Sequence, residues 1–283
     1  MRIALGIEYD GSQFSGWQAQ RHAVRTIQAC VEAAVSTVAA HPIRVQCAGR
    51  TDAGVHACGQ VVHFDTEASR SSRSWTLGTN ANLPQDISVC WAEAVPVAFH
   101  ARFSAVARSY RYVIANRATR GALWANKMAW EHRPLEVDAM TRAVPHLLGE
   151  HDFTSFRAAG CQAHHAVRTI RRLRVLRDRD LVLVEVEANG FLQHMVRNIV
   201  GTLLVIGRGE QPPEWLGRVL AARDRSQAAM TAPPGGLYLT HVDYPGHFQL
   251  PTSVWQAHAG GLFAPVPQTG FGGIIAHPPT HDS

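Results

Sequence analysis

Two glycines, Gly49 and Gly54, bracket the run Arg50, Thr51, Asp52 and Ala53, just after an apolar stretch ending at Cys47. Glycine allows positive φ and close backbone approach, so a loop of this kind at a strand end presents its polar side chains outward. A guanidinium two residues before a carboxylate favours the charged form of that carboxylate. An ionised carboxylate is what nucleophilic and general-base catalysis require. The same residues also suit an Asx-turn in which Thr51 or Asp52 bonds loop amides. Residue chemistry alone leaves both readings standing.

Other chemistries have little support. Of the 27 basic residues only Lys127 is a lysine, and it follows Asn126, so there is no phosphate-binding Gly-Lys loop and a single candidate for a Schiff base. The five cysteines, Cys30, Cys47, Cys58, Cys90 and Cys161, form no C-x-x-C pair. Reduced thiols in a cytoplasmic protein are expected. Among 16 histidines the nearest approach to a cluster is His164-His165, and no H-E-x-x-H occurs. A catalytic metal is not expected.

The elements that must position the loop follow from periodicity. Ile3 to Tyr9 reads as a strand ending in an Asp10-Gly11-Ser12 turn, and from Thr26, a candidate N-cap, the apolar positions recur at helical spacing. Ile43–Cys47, Gln60–Asp65 and Ser88–Ala94 read as strands, with a short helix over Trp75–Asn82. The grammar then repeats. Ser109–Ala115 alternates as a strand, Val137–Leu148 carries one apolar helical face, and Thr169–Leu176 with Leu181–Ala188 forms a hairpin. Leu192–Ile206 and Glu214–Ala222 read as helices, and Gly236–Tyr244 as a closing strand. The class is α+β (mixed α/β), in two similar halves. Residues 1–105 form an N-terminal half carrying the loop, 106–245 a basic C-terminal half, and 246–283 an extended Gly/Pro-rich tail whose aromatic residues could dock on a groove.

Composition sets the outer bounds. With 283 residues, 46% of them hydrophobic, the chain can bury its own core, and no apolar run reaches the length of a membrane span. The opening residues lack the pattern of a signal peptide. Residues 1–105 carry 8 Arg against 8 acids, whereas 106–245 carry 18 Arg and Lys127 against 13 acids. A surplus in one half suits a polyanionic partner, although a codon bias toward Arg gives the same count.

The segment Gly49–His56 resembles the signature loop of the bacterial tRNA pseudouridine synthase A family. The resemblance continues in Ile7-Glu8-Tyr9-Asp10-Gly11 with Gly16-Trp17-Gln18, in Asn80–Pro84, Phe99–Ala105, and Arg108-Ser109-Tyr110-Arg111-Tyr112. Asp152–Arg157, His194–Gly201 and Gly236–Leu239 complete a series in the family's order over residues 1–245. It implies a mainly antiparallel central sheet flanked by helices, with two halves around a cleft. It also implies conversion of uridine to pseudouridine just 3′ of the tRNA anticodon, by a homodimer without cofactor or required metal.

By the same resemblance Asp52 is the nucleophile or base, and Arg50 helps extrude the target nucleotide. Tyr110 stacks on the flipped base, and Arg197 pairs with Asp52. Each has a plainer alternative: Tyr110 as strand core, Arg197 as a helix-surface charge. Gln193 stands where close relatives are expected to carry His, which touches none of the four. Arg168, Arg172 and Arg174, in the series running to Arg179, form a candidate phosphate-tracking stripe for tRNA. In a regular strand Arg172 and Arg174 share one face, and Arg171 and Arg177 the other. Two rival classes remain from the sequence. A non-catalytic RNA-binding protein would not need Asp52, and a metal-dependent hydrolase would account for the histidines.

Overall fold

The computed structural model describes residues 1–20 and 24–251. Contacts divide the chain into two units, one made of Met1–Ser109 with the chain returning from Leu237, the other of Tyr110–Gly236. The expected division at 105 and 245 thus differs in one consequential way. The closing strand belongs with the first unit because it pairs there, a long-range contact that periodicity does not report.

In the first unit the strands are β1 (Arg2–Tyr9), β2 (Gln46–Cys47), β3 (His56–Asp65) and β4 (Ile87–Val95), and the helices are α1 (Ile27–Ala39) and α2 (Ser72–Asn82). The returning chain adds Leu237–Asp243, the last strand in sequence. β1 lies between β4 and β3, antiparallel to both, and Leu237–Asp243 joins β3 in parallel, with Tyr238 opposite His56. Leu5, Ile7, Val31, Val35, Phe64 and Trp75 are buried at the core. The rings of Phe64 and Trp75 meet edge to face at 5.2 Å, a favoured aromatic geometry.

Three expectations shift here. The strand expected over Ile43–Cys47 is only two residues long, because α1 side chains take its amides: Ile43 N–H donates to Ser36 Oγ and Val45 N–H to Glu32 Oε1. β3 begins at His56 rather than Gln60, drawn out by its neighbours on both sides. Thr26 occupies the N-cap position but makes no capping bond, and its buried hydroxyl has no partner among the described residues.

The second unit holds β5 (Ala107–Asn116), β6 (Ala129–Glu131), β7 (Gly149–Asp152), β8 (Val167–Asp178) and β9 (Leu181–Ala188), with the Leu237–Asp243 strand of the first unit numbered β10. Its helices are α3 (Val137–Ala143), α4 (Met195–Gly207) and α5 (Trp215–Ala222). The strand order is β5-β9-β8-β7, with β6 parallel to β5 and the β8–β9 and β7–β8 pairs antiparallel. The helix expected to run to Leu148 stops at Ala143 and continues as a 3₁₀ turn over Val144–Leu147. Pro145 supplies no amide there and crowds the preceding turn. α4 starts at Met195, three residues later than expected, because His194 takes a positive φ of 62°.

The tail expected from residue 246 does not begin as extended chain. Gly246–Phe248 is a 3₁₀ turn that sets the Phe248 ring 5.1 Å from Phe99. The expectation for Trp255 and the later aromatic residues lies outside the described residues.

Candidate active site

β2 and β3 pair antiparallel, Cys47 opposite Val62, so residues 48–55 form the connection at their open end. Gln60, buried in β3, clamps this connection: its amide Nε2 donates to the Gly49 carbonyl at 2.6 Å, and its Oε1 accepts the Gly49 N–H at 3.3 Å. The same Nε2 reaches the Tyr9 hydroxyl at 3.4 Å, which shares a 2.8 Å hydrogen bond with Thr51 Oγ1. Thr51, 7% exposed, is further held through its carbonyl, which accepts the Trp17 N–H at 3.0 Å. Beyond Asp52, the Val55 N–H donates to the Asp52 carbonyl, and the Gly54 N–H to the Phe14 carbonyl. Arg108 Nη2 donates to the Ala48 carbonyl at 3.1 Å.

Two glycines outside the loop make this packing possible. A Cβ on Gly11 would lie 2.0 Å from the Val55 carbonyl oxygen, so only glycine fits. Gly16 has φ +96° and passes within 3.0 Å, at the Cβ position, of the Thr51 carbonyl oxygen. Backbone on both sides of Asp52 is therefore fixed, while Asp52 itself is half-buried and Arg50 exposed. Of the Asx-turn alternative, the Thr51 hydroxyl is committed to Tyr9. His56, 1% exposed, accepts the Gly11 N–H at Nδ1 and stacks on Tyr238 at 4.6 Å. Burial pushes the Cys47 thiol up to about 12, which leaves it an inert neutral wall behind the loop.

Sequence reasoning assigned no role to Tyr9, Gln60, Trp17 or Arg108. The available signal was Gln60, a polar residue set among the apolar Val61, Val62 and Phe64 of one strand.

In the second unit Tyr110 sits in β5, 8% exposed, its ring edge-on to Phe191 at 5.0 Å. Its neighbour Arg111 is buried and forms an ion pair with Glu185 of β9. Tyr112 donates its hydroxyl to the Pro233 carbonyl at 2.7 Å, and burial raises its pKa. Arg197, half-buried in the first turn of α4, donates from Nε to the Ala232 carbonyl at 2.8 Å. The Ala232 N–H returns a bond to the Arg197 carbonyl. The segment bearing Ala232 lies so close to α4 that a Cβ on Gly201 would fall 2.0 Å from the Met230 carbonyl oxygen.

The arginine stripe separates into different environments. A register shift between Ile170 and Arg172 interrupts the strict alternation, so Ile170 and Leu173, three residues apart, are both buried. Arg172 faces Glu187 at 3.3 Å. Arg174 stands opposite Glu185, which Arg111 already holds, and has no hydrogen bond or ion pair among the described residues. Arg168 turns back on its own loop, donating to the carbonyls of His165 and Val167. Arg177 bonds Asn116 Oδ1 and the Leu135 carbonyl. All five cysteines are free thiols. Among the described residues no group of three His, Cys, Asp or Glu side chains could hold a metal ion, and no helix is long and apolar enough to cross a membrane.

A family model described as tRNA pseudouridine synthase matches residues 6–104 and 143–245. A protein of Vibrio cholerae named tRNA pseudouridine synthase A is 54% identical over 265 residues, covering 94% of this chain and 98% of that one. Proteins of the same name from Pseudomonas aeruginosa and Nitrosococcus oceani are each 55% identical, covering 88% and 89% of this chain and 88% and 96% of theirs.

Proposed function

The chain belongs to the tRNA pseudouridine synthase family, and from that premise we propose that it isomerises uridine to pseudouridine just 3′ of the tRNA anticodon, with Asp52 as the reacting carboxylate. The reaction breaks the N1–C1′ bond, rotates the uracil and rejoins it through C5. The C5 proton is released and N1 gains one, so the product is an isomer. A carboxylate serves this by abstracting a ribose proton, by attacking C1′ or by adding to C6. Each route needs the carboxylate held in place while the base moves.

The observation that carries the reading is the fixed backbone around Asp52, with Gly49 and Thr51 clamped before it and Gly54 and Val55 after it. In this reading Tyr110 is the platform for the detached uracil. Arg50 fills the space of the extruded nucleotide, and Arg197 faces the Asp52 carboxylate. Arg168, Arg172 and Arg174 contact tRNA phosphates. The family resemblance adds a homodimer acting in the cytoplasm.

The test is purified protein incubated with tRNA bearing a uridine 3′ of the anticodon, with pseudouridine measured by nucleoside analysis. Asp52→Asn lowers its formation by about a thousandfold or more, with an unchanged circular dichroism spectrum. Full activity in that variant overturns the assignment.

A further inference from the structure

The loop from Arg117 to Trp130 carries three cations and no acid. Its large apolar side chains face solvent: Leu123 is 92% exposed, Trp124 55% and Trp130 46%. Trp130 faces outward because β6 alternates, burying Ala129 and Glu131 and turning the residue between them out. Its indole Nε1 donates to the Arg117 carbonyl at 2.9 Å, which fixes the ring with a face to solvent. Successive turns, Ala125 N–H to the Ala122 carbonyl and Lys127 N–H to the Trp124 carbonyl, hold up Leu123 and Trp124. The Arg117 guanidinium lies across Gly121, 2.7 Å from where a Cβ would stand. Neither Arg117 nor Arg120 has a carboxylate partner among the described residues.

Exposed indoles cost solvation until a partner covers them. Uncompensated guanidiniums beside them define the chemistry of what does. A protein surface of ordinary apolar character would leave the charges unmatched. An acidic chain with flat aromatic groups of its own matches both. We propose that Arg117, Arg120, Trp124 and Trp130 form an RNA-gripping patch, in which an unstacked base lies on an indole and the adjacent phosphates meet the guanidiniums. The proposal rests on tRNA being the substrate, and it adds a contact that the reacting residues do not supply.

The test is the affinity for tRNA of the full chain, by fluorescence anisotropy over a range of salt concentrations. Trp124→Ala weakens binding about tenfold, and Trp124→Phe, which keeps a ring, restores most of it. Arg120→Ala lowers the slope of log affinity against log salt by about one. The patch is overturned if Trp124→Ala binds within twofold of wild type, or if Trp124→Phe is as weak as the alanine variant. It is also overturned if the loss comes with a fall in mass by sedimentation, which would make the surface an interface between copies of the chain. Pseudouridine formation by the wild type is scored separately. A wild type that binds tRNA through this patch without isomerising it refutes the proposed reaction and leaves the patch intact.

Discussion

The loop bearing Asp52 in the first unit and the paired arginines of the second are held by different means. In the first, the loop bearing Asp52 is fixed by hydrogen bonds and close approach: the Gln60 amide, the Tyr9 hydroxyl, backbone amides, the Arg108 guanidinium on the Ala48 carbonyl, and glycines that let chains approach. In the second, Arg111 is held by Glu185, Arg172 by Glu187, and Arg133 and Arg208 by Glu131. The count agrees, since residues 110–236 carry 17 Arg and one Lys against 12 acids, while residues 1–109 and 237–251 carry 9 Arg against 9 acids. Hydrogen bonds to backbone carbonyls and amides position the loop without a second carboxylate in the clamp. Ion pairs leave a surplus of cations turned outward. The difference separates positioning from grip.

The largest effect expected is structural and falls in the second unit. Arg111→Met removes a buried guanidinium and leaves Glu185 desolvated, a change worth about 3 kcal/mol. Urea unfolding followed by circular dichroism measures it. A loss below about 1 kcal/mol would mean that Arg174, which faces Glu185, takes over the pairing, and the division between structural and free arginines would collapse.

Tyr9→Phe addresses the positioning half. It deletes one hydroxyl and strands the buried Thr51 Oγ1, one residue before Asp52. The expected result is a fall of about tenfold in kcat, roughly 1.4 kcal/mol in the barrier, with KM for tRNA moved less than twofold. A change in KM alone would place Tyr9 in grip rather than positioning.

Smaller still is the effect of Arg174→Ala, which raises the Kd for tRNA a fewfold and lowers the salt slope by about one. Arg172→Ala moves affinity less, because Arg172 is already neutralised by Glu187. Equal losses at the two positions would show that the pairing seen in the free protein does not govern the grip.

These contrasts mark how far the sequence reaches. The alternation of β9 was legible because Val182, Val184, Val186 and Ala188 share one buried face and period two records it. The loop was legible because two glycines and a carboxylate sit within six residues. Its clamp was not, since Tyr9 and Thr51 stand 42 residues apart and meet only through the pairing of β1 with β3. β6 and β7, of three and four residues, are too short to show a period. The break in the stripe at Arg171 depends on a register shift set by β9. In the same way, β2 was shortened by Glu32 and Ser36, residues of another element.

The least effect, on stability alone, again divides the units. His63 of β3 is buried, and that burial, with His100 and Arg2 nearby, lowers its pKa to about 4; Asp65 acts the other way. Its Nδ1 accepts the Ala101 N–H, a bond that the neutral ring alone can make at that nitrogen. The unfolded chain takes up this proton near the ordinary histidine value of about 6.5, and the folded chain only near 4. Stability is therefore intact above about 6.5 and declines as the pH falls toward 4. In the second unit Asp152, bonded by Thr154, and Glu210, bonded by Arg208, sit below the usual carboxylate range and stay ionised through that window. Hydrogen exchange at pH 5, corrected for the intrinsic rate, should show β3 amides losing protection relative to pH 7 while the β8–β9 amides keep theirs. Uniform loss across both would mean that the two units unfold as one, and that the difference in how they are held stops at the local contacts.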